Sequence, residues 1–260
     1  MAYEIINMRA SDGSAIRIEH HGELENTAAL AREYAEKDYP DRYVVFTEKR
    51  IRRDVEGKVK GVDEGIFISL ILRPSIFPSQ ATLLAPLSAV ALAQGLEEHT
   101  ESSLGIGWVG NLYCNGRLIG KTGIEGKLDS FKSYEYLIIS FSCVLDKQSF
   151  PHRISDLIKK VFSEEKTSVP LIITLDILNK FFLHYKSLKS PSKFMDAYRQ
   201  KFILRGTRVA YTDQSGKKRR YKVIGVDPKT CALMLEGRDK KVFLASLPQR
   251  VDSPKRVKIK

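Results

Sequence analysis

The excess charge of this chain is not spread along it. Residues 201–260 carry 17 Lys and Arg against 5 Asp and Glu, whereas residues 1–200 carry 26 of each. The net charge of +12 therefore sits in the last sixty residues. Such a step in composition predicts two units rather than one. We expect a near-neutral domain over residues 1–202, a small basic one over 203–252 and a basic tail over 253–260. The basic unit calls for an acidic protein, a nucleic acid or a phosphate-bearing ligand, or else serves as a solubilising surface.

The larger unit has the material for a core, since 43% of the chain is hydrophobic. No apolar run reaches the length of a membrane helix: the longest, residues 81–95, is interrupted by Pro86, Ser88 and Gln94. The first nine residues carry Glu4 and Asn7 and do not read as a signal peptide. Cys114, Cys143 and Cys231 are isolated, odd in number and without zinc spacing. They read as buried thiols of a cytoplasmic protein.

Periodicity gives the order of elements. Residues 14–19 alternate as a strand with Ile16 and Ile18 on one face. Asn26 or Thr27 then caps a helix carrying Ala28, Leu30, Ala31, Tyr34 and Ala35 at helical spacing. Residues 42–46 form a short strand. The charged stretch 47–64 has neither helical nor strand period and reads as a loop. The apolar run 66–72 is a buried strand. A helix over 84–99 follows, with Pro86 in its first turn. Strands are expected over 104–108, 111–117 and 136–145, and Asn115-Gly116 is a type I′ hairpin signal. Three helices, 153–164, 169–186 and 192–201, complete an α+β domain with a mixed sheet covered by helices. Short strands at 207–211, 220–226, 231–236 and 241–247, separated by turn residues, suggest a small β-barrel.

His20, His21, His99, His152 and His184 are scattered, and no metal cluster, P-loop or dinucleotide fingerprint is present. Several segments in order carry more information. Residues 106–125 read Ile-Gly-Trp-Val-Gly-Asn-Leu-Tyr-Cys-Asn-Gly-Arg-Leu-Ile-Gly-Lys-Thr-Gly-Ile-Glu, and 66–74 read Ile-Phe-Ile-Ser-Leu-Ile-Leu-Arg-Pro. Residues 87–94 read Leu-Ser-Ala-Val-Ala-Leu-Ala-Gln, and 225–236 read Gly-Val-Asp-Pro-Lys-Thr-Cys-Ala-Leu-Met-Leu-Glu. These resemble the Lys-Trp-Pro-Asn-Asp-Leu-Tyr hairpin, the Ser-Leu-x-x-Arg-Pro strand, the long helix and the C-terminal barrel of the biotin-protein ligases. Residues 23–35 resemble that family's Ser-Thr-Asn segment, and 43–53 the strand entering its glycine- and arginine-rich loop. The resemblance spans about residues 20–250.

It implies a class II synthetase-like ligase domain followed by an SH3-like barrel. It also implies an ATP-dependent ligase that makes biotinyl-adenylate and transfers biotin to a lysine of a carrier domain, with Mg2+ accompanying ATP. A homodimer is left open, no membrane is involved, and a nucleic acid ranks below the carrier as a partner. Carried onto its matching position, Arg53 becomes a catalytic cation, and Lys121, or else Lys58, is the candidate to stand in for the family lysine missing at Gly107. Asn26, Thr27, Arg50, Arg52, Trp108, Asn111, Gly120, Gly123 and Glu125 become the substrate-binding residues, with no metal ligand among them. The chain departs from the pattern where chemistry is densest. Gly107 replaces the lysine before the tryptophan, and Val109-Gly110-Asn111 replaces Pro-Asn-Asp. Only Gly57 remains of the loop glycines, and Ser140 and Ser142 stand in a strand where the family has glycines. Two further readings follow: a binding protein of the same fold that has lost the chemistry, and nucleic-acid binding through the basic barrel.

Overall fold

The computed structural model describes residues 3–145, 168–212, 215–245 and 251–252. The expected helix at 153–164, His152 and the tail at 253–260 lie outside the described residues.

An eight-stranded mixed sheet runs in the order β1-β2-β3-β4-β8-β7-β6-β5. Its strands are β1 (Tyr3–Arg9), β2 (Ala15–His21), β3 (Tyr43–Arg53), β4 (Val59–Leu72), β5 (Leu104–Ile106), β6 (Asn111–Cys114), β7 (Arg117–Leu128) and β8 (Tyr134–Val144). Only β2 and β3 pair in parallel, and the crossover between them is α1 (Thr27–Glu36). Asn26 is its N-cap: the side-chain oxygen accepts from the amides of Ala28 and Ala29 at 3.0 and 3.1 Å. That satisfies two otherwise orphan donors.

Side-chain alternation decides what each face covers. Val44, Phe46, Ile66, Ile68, Leu70, Ile139 and Phe141 belong to the large core cluster, together with α3 (Leu84–Glu97) and α4 (Val169–Tyr185). The short α2 (Pro78–Ala81) leads into α3, which packs against α4, α5 (Ser192–Lys201) and the strands β5 to β8. Tyr43, Val45, Ile71, Tyr136 and Ile138 face the other way, onto Ala31 and Ala35 of α1.

Two expectations need correction. The segment 47–64 is not a loop: β3 and β4 continue as a long antiparallel ribbon past the apolar region. It is held by backbone pairing and by Asp63, which bonds Arg50 and Arg52 across the strands, and its charged side chains leave no apolar alternation to read. The strand after the hairpin at Asn115 and Gly116 extends to Leu128. The hairpin itself forms as expected, with positive φ of 48° and 77° at those residues.

The C-terminal strands β9 (Arg208–Thr212), β10 (Lys218–Val226), β11 (Leu233–Glu236), β12 (Val242–Ala245) and β13 (Val251–Asp252) make a second sheet. All of its pairs are antiparallel, in the order β12-β11-β10-β9-β13. Tyr211, Tyr221 and Phe243 cluster with ring centroids 4.9–5.8 Å apart. Val209, Val223, Leu233 and Leu235 belong to the same continuous core as the first sheet. The junction is specific. Trp108 is 4% exposed and donates its indole N–H to the carbonyl of Cys231 at 2.9 Å. Tyr198 donates its hydroxyl to the carbonyl of Gly107 at 3.2 Å.

Candidate functional site

On the α1 face of the first sheet, the middle strands present hydroxyl side chains around one aromatic ring where their neighbours are aliphatic or aromatic. Thr47, Phe67, Ser69, Ser140 and Ser142 stand side by side across β3, β4 and β8, because Thr47 is opposite Phe67, Ser69 opposite Ser140, and Phe67 opposite Ser142. Position 123 on β7 continues the row opposite Ser140. The N-terminus of α1 stops over this row, leaving a cleft of about 420 Å³ lined by Asn26, Thr27 and Ala28 above and the strands below.

A chain of hydroxyls runs across the floor. Thr27 Oγ1 lies 2.8 Å from Ser69 Oγ, which lies 3.1 Å from Ser140 Oγ. Ser69 and Thr47 are fully buried. Buried hydroxyls that bond in series can each offer or accept one more hydrogen bond, so they can read a polar ligand head.

Lys121, Gly123 and Glu125 alternate onto this face and span about 13 Å of strand. At one end, Arg50 bonds Asp63 at 2.7 Å and lies over the Phe67 ring at 4.5 Å. Lys121, beside it, has no ion-pair partner among the described residues. At the other end, Glu125 takes both oxygens to Arg32 of α1 at 2.7 Å. A Cβ built on Gly123 would meet nothing nearer than Ser140 Cβ at 3.9 Å, so the glycine leaves open space in the cleft rather than relieving a clash.

The cleft thus gathers Asn26, Thr27, Arg50, Lys121, Gly123 and Glu125 of the residues singled out in the sequence. The other five lie elsewhere. Arg52 pairs with Asp63 at 2.8 Å, and Arg53 braces the ribbon tip by pairing with Glu25 and donating to the carbonyl of Gly57 at 2.9 Å. Trp108 is at the sheet junction, where its apolar surface is covered, rather than on a ligand cleft. Asn111 donates to the carbonyl of Trp108 at 3.4 Å. Gly120 lies close against β8, since a Cβ there would sit 2.6 Å from the carbonyl oxygen of Ser142. Sequence reasoning missed Thr47, Phe67, Ser69 and Arg32. A serine inside the run of buried apolar residues 66–72 was the available signal for Ser69.

On the opposite face of β7, a second cavity of about 300 Å³ lies between Thr122 and Ile124 and the residues Pro78, Ala85, Val109 and Tyr134. Neither cavity holds a group of three or more potential metal ligands among the described residues.

Comparison with known proteins puts this geometry in context. No family model matches the chain. The bifunctional ligase/repressor BirA of Bacillus subtilis is 29% identical over 147 residues, a match that takes in 53% of this chain and only 44% of that protein. Among solved structures, the biotin protein ligase of Aquifex aeolicus in complex with biotin and ATP superposes with a TM-score of 0.66 at 17% identity. That superposition covers 91% of this chain and 99% of the other. The chain has the fold of the biotin protein ligases. Another superposition is with a biotin protein ligase-like protein of unknown function from Silicibacter sp., with a TM-score of 0.63 at 16% identity, covering 89% and 94% of the two chains. Superposition at such identities establishes the biotin protein ligase fold. It leaves the chemistry to be argued from the residues in the cleft.

Proposed function

We propose that the chain activates biotin, or a small acid close to it, with ATP and passes the acyl group to a lysine of a carrier-protein domain. The observation that carries this reading is the cleft itself: a hydroxyl-lined floor beneath α1, an open strand at Gly123, and at one end the ammonium of Lys121, without an ion-pair partner among the described residues. A polar ring would lie over Thr27, Ser69 and Ser140, and its carboxylate would reach Lys121. The relatives support the ligand, since the Aquifex aeolicus structure is named as a complex with biotin and ATP.

In this reading a carboxylate oxygen attacks the α-phosphorus of ATP and pyrophosphate leaves. The ε-amine of the acceptor lysine then attacks the acyl carbon, loses a proton and displaces AMP. The first step brings two anions together, so fixed positive charge has the largest effect there. Lys121 supplies it. Arg53 and Arg52 reach the phosphates only if the ribbon tip turns inward and exchanges Glu25 and Asp63 for the nucleotide. Mg2+ would travel with ATP. We further propose that residues 1–202 and 203–252 are the ligase and barrel domains, with the C-terminal sheet closing as an SH3-like barrel. On this reading the protein works in the cytoplasm with a carrier domain as its partner, and a homodimer is compatible with it.

One observation favours a second reading, a binding protein without turnover. A Cβ at position 107 would lie 2.8 Å from the Tyr113 ring, so that ring occupies the space into which the family's lysine side chain would start. ATP–pyrophosphate exchange with biotin, lipoate and octanoate separates the two. We expect exchange with biotin, and a loss of about 100-fold or more in K121A, the usual scale for removing one charge-stabilising donor. Acid binding by calorimetry without any exchange would favour the second reading.

A further inference from the structure

The ligase reading leaves the most uneven feature of the sequence, its basic C-terminal unit, without a role. Register shows how that charge is arranged. On β10, Tyr221 and Val223 turn towards the core, so Lys218, Arg220 and Lys222 turn outward. All three are exposed, and they recur every second residue, about 6.8 Å apart. On β9, Arg208 stands directly across from Lys222, and Ala210 and Thr212 stand across from Arg220 and Lys218. Arg208 and Arg220 are therefore diagonal neighbours on one open face. Neither has an ion-pair partner among the described residues. On the flanking strands Glu236 stands across from Lys222, which approaches it only to 4.0 Å, and Asp252 stands across from Ala210.

We infer that the outer face of β9 and β10 binds the phosphodiester backbone of a nucleic acid. Three features separate this partner from an acidic protein surface. First, the outward positions 208, 218, 220 and 222 are all cationic, with Ala210 and Thr212 beside them, whereas the centre of a protein interface is apolar and depleted of charge. Second, a straight row of evenly spaced cations matches a linear array of phosphates, with Thr212 as an added hydroxyl donor. Third, the aromatic side chains of this sheet, Tyr211, Tyr221 and Phe243, pack on one another and on the core, so they offer no stacking platform for bases. Contact is therefore to the backbone and indifferent to base sequence. This revises the order of partners expected from composition alone, because alternation along β10 selects which cations share a face.

The test is fluorescence anisotropy on the full chain with two 20-base-pair DNA duplexes of unrelated sequence. Equal affinity for both is expected. Neutralising three to four phosphates should weaken binding about 40- to 150-fold between 50 and 200 mM salt. In R208Q/R220Q the slope of log affinity against log salt should shrink by about two. V242T/L244T, exposed on the edge strand β12 of the same sheet, should bind as the parent does. Circular dichroism of both variants shows that the sheet is intact. No binding at 50 mM salt would overturn the inference, as would a salt slope unchanged in R208Q/R220Q. A poly-glutamate peptide of equal charge that competes as well as the duplex would overturn it too, and would point to an acidic protein instead.

Discussion

At Gly123 the strand permits a side chain but the proposed ligand does not. The residue lies in a regular β7–β8 pairing, and added atoms would meet only Ser140 Cβ at 3.9 Å. G123V should therefore fold normally, since a β-branched residue suits a strand and no backbone clash opposes it. Its midpoint of thermal unfolding should stay within about 2 °C of the parent, a change of roughly 0.5 kcal/mol. Binding of biotin by calorimetry should be lost, because two methyl groups would fill the space above the hydroxyl row. Retained binding would place the ligand outside this cleft. At this scale the sequence was partly legible. Asn26 and Thr27 could be read from capping chemistry, and Lys121 and Gly123 from the matched hairpin. Arg52, Arg53 and Trp108 occupy matching positions in the chain, but their partners, Asp63, Glu25 and the Cys231 carbonyl, are set by tertiary contacts that no local pattern shows.

The ribbon of β3 and β4 carries the clearest lesson at the scale of an element. Its apolar half, 66–72, was evident from composition, while its charged half read as a loop. Hydrophobic periodicity detects only a strand with one face in the core, and the ribbon beyond Thr47 leaves the core. What holds it is backbone pairing with Asp63, which bonds both Arg50 and Arg52. D63N keeps the shape and removes the charge, leaving the two arginines to repel each other. A loss of about 1–2 kcal/mol is expected from hydrogen bonds to a charged group, read as a lower urea midpoint. Faster amide exchange should be confined to residues 48–63.

A turn in the second sheet makes a similar case with a sign in pH. Asp227 is held below the usual carboxylate range, chiefly by the Thr230 hydroxyl donating to it at 2.7 Å and also by the amides of Thr230 and Lys229. Its ionised form therefore contributes stability that is present above the unfolded value near 3.9 and is lost as pH falls through the lower folded value. The stability difference between the parent and D227N should be largest at neutral pH and fade below about pH 4, as measured by urea unfolding across pH.

Charge composition divides the chain in two, yet packing joins what charge divides. The two sheets share one apolar core, and the segment leading into the second is tied to the first where the amide of Ile203 donates to the carbonyl of Ile106 at 3.1 Å. Trp108 and Tyr198 complete the junction. Burial drives the Tyr198 phenol well above its ordinary value, and it is also bonded to the Cys231 thiol. The chain has a single tryptophan, and it sits at this junction, so its fluorescence reports on the contact between the sheets. If the core is one cooperative unit, urea unfolding followed by tryptophan emission and by far-ultraviolet circular dichroism should give one midpoint. Y198F removes one of the two hydrogen bonds to the Gly107 carbonyl, which also accepts from the Gly110 amide at 3.3 Å, and should lower both curves together by about 0.5–1.5 kcal/mol, the net worth of one hydrogen bond. Separate midpoints in the parent would mean that the basic sheet unfolds on its own, and that the boundary drawn by charge is also a boundary of stability.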